Sequence, residues 1–265
     1  MTRSVRATKL LGRYQIDAEL DRGAVSSVLR AFDEARSVRV AIKIDLRGDD
    51  EGRARIAHEA QLTAKVDGAL RGEPPRVARV LDRHDDPPCF AMEYLEGTTL
   101  ERRLDERGPV SLAEARTIAV AVGSALRATH ELGYVHGDVK PGNVLLVGDG
   151  GDDVRLLDFG LAVRSGSTAS GGTSAFLAPE QVRGDALAAV TDVYGLCATL
   201  FRAVTGRRVF AQEAIGDLFE AILREPAPTA DVDATLDALL VRGLSKRAGE
   251  RPTLAAVIAA FELLR

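Results

Sequence analysis

Cysteine is nearly absent from these 265 residues. Cys89 and Cys197 cannot build a disulfide framework, and neither stands at a zinc-binding spacing from a histidine. The four histidines, at positions 58, 84, 130 and 136, share no metal-ligand spacing. A reducing, cytoplasmic setting is the expectation. Excess positive charge is missing too. With a net charge of -4 and arginines scattered rather than clustered, neither nucleic acid nor an anionic membrane is an expected partner. Long apolar runs are also lacking. The opening MTRSVRATKLLGRYQ has no signal-peptide core, and IAVAVGSAL and LAAVIAAFELL fall short of the roughly 18 to 20 residues that span a bilayer. The chain is therefore expected to be soluble, with no membrane segment. No repeat or low-complexity tract interrupts it, and 46% hydrophobic with 28% charged residues predicts folding throughout.

What is present changes character midway. From Tyr14 to about Tyr94 the pieces are short and rich in β-branched residues: YQIDAEL, SSVLRAF, VRVAIKID, VARVLDR and CFAMEYL predict an antiparallel sheet. One helix interrupts it at DEGRARIAHEAQLTAKV, where Ile56, Ala60 and Val66 fall on one stripe. From Thr98 the period is helical. Ser111 and Glu114 form a capping-box pair at the start of a helix that closes at Gly133. Further helices are predicted at about 189–205, 213–224, 232–243 and 253–264, the last capped by Thr253. Between them, 134–185 reads as a loop-rich stretch with two short strands, and GDGGDDVR as a hairpin turn rather than a calcium loop. A length of 265 residues suits two lobes.

Several residues fit phosphoryl transfer, which needs bound phosphates, a positioned hydroxyl and charge neutralisation more than covalent help. Lys43 ends VAIK on the third predicted strand, and Glu59 on the next helix is placed to hold it. Asp138 can accept a hydroxyl proton, Lys140 can neutralise phosphate, and Asn143 and Asp158 offer hard oxygens to magnesium. Lys43 and Asp192 both lie in apolar surroundings, where an unpaired charge is costly, so each is expected to have a partner. His136 reads as a buried histidine bonded to backbone near DFG.

With VAIK, Glu59, MEYLEG, HGDVKPGN, DFG, GTSAFLAPE, TDVYGL and ERPT in order, the chain resembles the eukaryotic-like Ser/Thr protein kinases of the bacterial type over roughly Tyr14 to Arg265. The resemblance implies an α+β, bilobal protein-kinase-like fold: a small antiparallel-sheet N-lobe with one helix and a larger, mainly helical C-lobe. It also implies one kinase domain over 1–265, with the N-lobe at about 12–94, the hinge at about 93–97 and the C-lobe at about 98–265. ATP with magnesium or manganese is the implied cofactor set, and a protein with a Ser or Thr acceptor the implied partner. Met92 would be the gatekeeper. Glu93 and Leu95 would offer backbone groups to adenine, and Leu20, Val28, Ala41 and Leu145 would enclose it, with Gly23 over the phosphates. Asp192 would hold the catalytic-loop backbone, Arg251 would pair with Glu180, and Thr173 would sit beside Asp138 and Lys140. Substrate, upstream signal and oligomeric state stay open, as does whether this is a stand-alone kinase or a fragment.

Two features depart from the family. The three glycines of its phosphate-covering loop fall here at Asp21, Gly23 and Ser26, so only the middle one is kept. Lost glycines forfeit cheap positive φ, and Asp21 at about 8 Å in an effective dielectric near 20 would repel each phosphate charge by roughly 2 kcal/mol. Weakened nucleotide affinity is expected. The second departure is Gly137, where the family usually has an Arg that a phosphate on the activation loop neutralises; glycine predicts activity without phosphorylation of Ser165, Ser167, Thr168 or Ser170. HGD with Asn five residues after the Asp also marks aminoglycoside and choline-type phosphotransferases. Lys140, DFG and GTSAFLAPE favour the protein kinases, and the six retained catalytic residues weigh against the alternative of a nucleotide-binding pseudokinase.

Overall fold

The computed structural model describes residues 9–148, 151–168 and 174–263. These fall into two compact units, one of the described residues up to 68 and 78–96, the other of those at 69–77 and from 97 on. Among the described residues no helix is long and apolar enough to cross a membrane.

The first unit is an antiparallel sheet of six strands with one helix. In chain order these are β1 (Lys9–Leu10), β2 (Tyr14–Arg22), β3 (Ser26–Asp33), β4 (Val38–Asp45), α1 (Asp50–Ala69), β5 (Val80–Asp85) and β6 (Pro88–Glu93), and the strands lie in the order β1-β2-β3-β4-β6-β5. Alternation along the strands separates two faces. Val40, Ile42, Cys89 and Ala91 join Tyr14 and Ala31 in one buried cluster. The intervening Ala41 and Lys43 stand opposite Met92 and Phe90 across the ladder, and Val28 stands opposite Lys43. On that second face α1 packs Ile56 and Ala60 against Phe90, with Met92 alongside. The helix starts where Asp49 accepts from the Gly52 N–H at 2.7 Å. Beyond the sheet's first cluster, Arg13 grips Asp33 with two bonds of 2.6 Å and Asp82 with one of 2.8 Å. Lys43 stands on the fourth strand rather than the third, because Lys9–Leu10 adds an edge strand too short to show a period.

The second unit contains β7 (Gly97–Thr99), α2 (Leu100–Arg107), α3 (Leu112–Glu131), β8 (Tyr134–Val135), β9 (Val144–Val147), β10 (Asp153–Leu156), β11 (Val163–Arg164), α4 (Pro179–Arg183), α5 (Ala189–Thr205), α6 (Ile215–Arg224), α7 (Ala234–Gly243) and α8 (Leu254–Glu262). Its core is α3 and α5, with Ile118, Leu126, Leu200 and Phe201 at no more than 1% exposure and Phe261 of α8 buried beside them. The capping box of α3 is complete: Glu114 N–H donates to Ser111 Oγ at 3.2 Å, and Ser111 N–H to Glu114 Oε2 at 2.9 Å.

Three features depart from the sequence reading. Among its described residues the stretch 134–185 holds four strands, not two, since β8 and β11 pair as a two-residue ladder that leaves no alternation to read. The helix α2 is heavily charged and shows only Leu100 and Leu104 as a buried pair; its cap, Thr99 Oγ1 accepting from Arg102 N–H, is what starts it. Residues 69–77, read as part of the small lobe, pack with the second unit: Leu156 N–H donates to the Arg76 carbonyl at 2.8 Å, and Arg127 meets Glu73 at 2.6 Å.

Candidate active site

In the first unit, Lys43 Nζ donates to Glu59 Oε1 at 2.7 Å, with the two side chains 8% and 4% exposed. A strand presents the lysine and the helix packed on the same face presents the glutamate. Breaking a buried ion pair by removing one partner costs about 3–5 kcal/mol in general. Val28, Ala41 and Met92 share that face. Glu93 is tied to the strand before it, its N–H donating to the Arg79 carbonyl and its carboxylate accepting the Arg79 N–H, both at 2.9 Å. Leu95 is partly buried and Leu20 exposed.

The β2–β3 connection changes the argument about lost glycines. Positive φ is adopted by neither Asp21 nor Ser26, which lie inside β2 and β3, nor by Gly23. The backbone cost expected for replacing glycine is therefore not incurred. The turn closes through Gly23 N–H to the Ser26 carbonyl at 2.9 Å. What Asp21 contributes is charge, on an exposed side chain.

In the second unit the catalytic-loop residues converge on one carboxylate. Lys140 Nζ donates to Asp138 Oδ2 at 2.6 Å, and Asn143 Nδ2 donates to the same oxygen at 3.0 Å and to the Asp138 carbonyl at 2.8 Å. Those bonds turn the Asn143 amide oxygen away from Asp138. Asn143 also anchors the following strand, its carbonyl accepting Leu157 N–H at 2.8 Å. Asp158 then follows at φ +62°, exposed, with Oδ1 accepting Gly160 N–H at 3.0 Å. Leu145, on β9, is half-buried in this unit. Thr173 lies outside the described residues.

The loop that carries Asp138 is held from below. Asp192, 1% exposed in the first turn of α5, accepts His136 N–H on Oδ2 and Gly137 N–H on Oδ1, both at 2.8 Å. Gly195, one turn on, lets α5 lie against Val139: a Cβ there would stand 3.0 Å from the Val139 Cβ. His136 is fully buried. Its Nδ1 accepts Asp138 N–H at 3.2 Å, which assigns the proton to Nε2, 3.2 Å from the Leu157 carbonyl, and its ring meets Phe159 edge-on at 4.9 Å. Arg251 grips Glu180 at 2.6 and 2.8 Å and also caps the Val190 and Ser245 carbonyls.

Two residues given no role by sequence reasoning belong to this scaffold. His130 Nε2 lies 2.7 Å from Asp192 Oδ2, and Gln181 Nε2 donates to the Gly137 carbonyl at 2.8 Å. His130 is 62 residues from Asp192 and Gln181 is 44 from Gly137, so no local spacing announces either.

A buried Lys–Glu pair in the first unit and, in the second, a helix-anchored loop presenting Asp, Lys and Asn ahead of DFG are features of the protein-kinase class. The chain belongs to the protein kinase family: the protein kinase domain profile matches residues 14–260. It is similar to a probable serine/threonine-protein kinase of Corynebacterium efficiens (32% identity, over 95% of this chain and 41% of that protein). Comparable likeness joins it to the probable serine/threonine-protein kinase PkwA of Thermomonospora curvata (32%, 94% and 34%) and to the serine/threonine-protein kinase PrkC of Bacillus subtilis (32%, 84% and 35%). The chain thus spans well under half the length of these relatives. Family membership implies ATP and a divalent metal ion.

Proposed function

We propose that this chain transfers the γ-phosphate of ATP, with magnesium or manganese, to Ser or Thr hydroxyls of protein substrates. The observation that carries the reading is the convergence of Lys140 and Asn143 on the carboxylate of Asp138. In this reading Asp138 takes the proton of the acceptor hydroxyl as the new oxygen–phosphorus bond forms and the bond to ADP breaks. Lys140 moves between Asp138 and the transferring phosphate, and Lys43, held by Glu59, neutralises the other phosphates. Leu20, Val28, Ala41, Met92 and Leu145 enclose adenine, Glu93 and Leu95 offer it backbone groups, and Gly23 lies over the phosphates. Asn143 and Asp158 supply one amide oxygen and one carboxylate, a donor set that suits a hard cation completing its shell with phosphate oxygens and water. Bound there, the cation neutralises developing phosphate charge. Thr173 is proposed to help select Ser or Thr acceptors.

Loop phosphorylation is proposed to be dispensable. The first part of the segment after DFG is held by backbone bonds: Val163 and Arg164 pair with Val135 and Tyr134, Ser165 N–H donates to the Gly133 carbonyl at 3.0 Å, and Gly166 and Ser167 exchange bonds of 2.8 and 2.9 Å with Leu187. Ser165, Ser167 and Thr168 are exposed, with their backbone already positioned.

The test is phosphate transfer from labelled ATP with magnesium, scored on the protein itself, on a generic basic protein and on an aminoglycoside panel, for wild type and Asp138→Asn. Label on Ser or Thr that vanishes in the variant is expected. Label confined to small molecules, or no transfer despite nucleotide binding, would refute the proposal.

A further inference from the structure

The backbone of Gly137 is held at both ends by side chains from two different helices. Its N–H donates to Asp192 of α5 and its carbonyl accepts from Gln181 of α4, each at 2.8 Å. Gly137 sits at φ +75°, a conformation that costs a residue with a side chain about 1–2 kcal/mol. The amide of Gln181 is used at both ends as well. Its Oε1 accepts the Ala178 N–H at 3.0 Å while its Nε2 reaches Gly137. A flipped amide would set donor against donor and carbonyl against carbonyl, so the two contacts fix the orientation together. Gln181 therefore ties the residue before Asp138 directly to the end of the GTSAFLA segment. Gly137, Asp138, Phe176, Leu177, Gln181 and Asp192 line a cavity of about 10 Å³, space for about one water.

We infer that Gln181 is a positioning residue for catalysis: its amide couples the catalytic loop to the segment following the activation loop, supplying through neutral hydrogen bonds an attachment that an Arg–phosphate pair would otherwise provide. The inference rests on the reading that loop phosphorylation is dispensable, and it deepens that reading by naming what replaces the phosphate. Gln181 touches no reacting atom in this account. It acts through Gly137 on the direction of the Asp138 side chain. The residue also caps the start of α4 by accepting the Ala178 N–H, and that structural duty can be separated from the coupling by chemistry. Glutamate at 181 still accepts the Ala178 N–H and still caps, yet it cannot donate to the Gly137 carbonyl and sets an anionic oxygen against it.

The experiment compares wild type with Gln181→Glu and Gln181→Met, each alone and with Ser165, Ser167, Thr168 and Ser170 all changed to Ala. It uses labelled ATP and a generic basic protein as acceptor, with kcat expressed per nucleotide-binding site so that unfolded molecules do not count. For Gln181→Glu the expected result is a kcat at least tenfold lower, a KM for ATP within twofold of wild type and a Tm within about 2 °C. Gln181→Met should lose as much kcat, and the loss should be the same with the four alanines present. A kcat within twofold of wild type in both Gln181 variants overturns the inference, as does a loss in Gln181→Met that Gln181→Glu rescues, since capping alone would explain it. Failure of the underlying reading shows separately, as lost activity in the four-alanine protein with Gln181 intact.

Discussion

Replacing Asp192 with Asn tests how far the catalytic loop depends on its anchor. The carboxylate receives Gly137 N–H on one oxygen, and His136 N–H and His130 Nε2 on the other, at 2.7 to 2.8 Å. The amide can keep only one oxygen. Turned toward His136 and His130 it retains two contacts and sets its NH₂ against the Gly137 N–H, losing a single bond to a charged group, worth about 1.5–3 kcal/mol. The opposite orientation sacrifices two. If that energy holds Asp138 in its working position, kcat falls by roughly 10- to 150-fold, since each 1.36 kcal/mol is a factor of ten. The KM for ATP should change little, because Lys43 and Glu59 pair with each other within the first unit. The assay is steady-state transfer to a basic protein, with Tm measured in parallel. A kcat within twofold of wild type, with an unchanged Tm, would refute the anchoring argument.

Three other outcomes follow from particular contacts. Arg251→Met and Glu180→Gln should each destabilise by about 3–5 kcal/mol, seen as a fall in the denaturant midpoint, while the double change Arg251→Met with Glu180→Leu should cost less than the sum, because it leaves no buried charge unpaired. The bonds from Arg13, outweighing burial, hold the Asp33 carboxyl below the usual carboxylate range, so its stabilisation is complete above the ordinary value of 3.8 and fades as pH falls through the depressed one. Arg13→Met should therefore move the onset of acid unfolding to higher pH, read by circular dichroism across a pH series; an unchanged onset would count against it. Asp21→Gly should lower the KM for ATP several-fold by removing a repelling charge, and an equal or higher KM would show that the charge does not reach the phosphates.

Much of the fold and the candidate site could be read locally. VRVAIKID alternates because one face of β4 is core and the other carries Ala41 and Lys43, and Ser111 with Glu114 closes a box within four residues. The Lys43–Glu59 pairing was legible because a charge in an apolar setting must have a partner, whereas Arg251–Glu180 was named by the family resemblance alone. His136 was anticipated on similar grounds. The two-residue strands β8 and β11 were not, since a ladder that short has no period and exists only through its partner.

The sequence by itself determined which chemistry is present: a lysine, three carboxylates, an amide and a second lysine at spacings suited to phosphate, on elements whose periodicities follow from their own side chains. Tertiary structure decided how the catalytic loop is held. Gln181 and Asp192 reach it across 44 to 56 residues of chain, and His130 in turn holds Asp192 from 62 residues away. It also decided that Asp21 is a problem of charge rather than of backbone strain. Hydrogen-bond partners and φ angles of that kind depend on which segments are brought within 3 Å, and helix packing sets that where local spacing cannot.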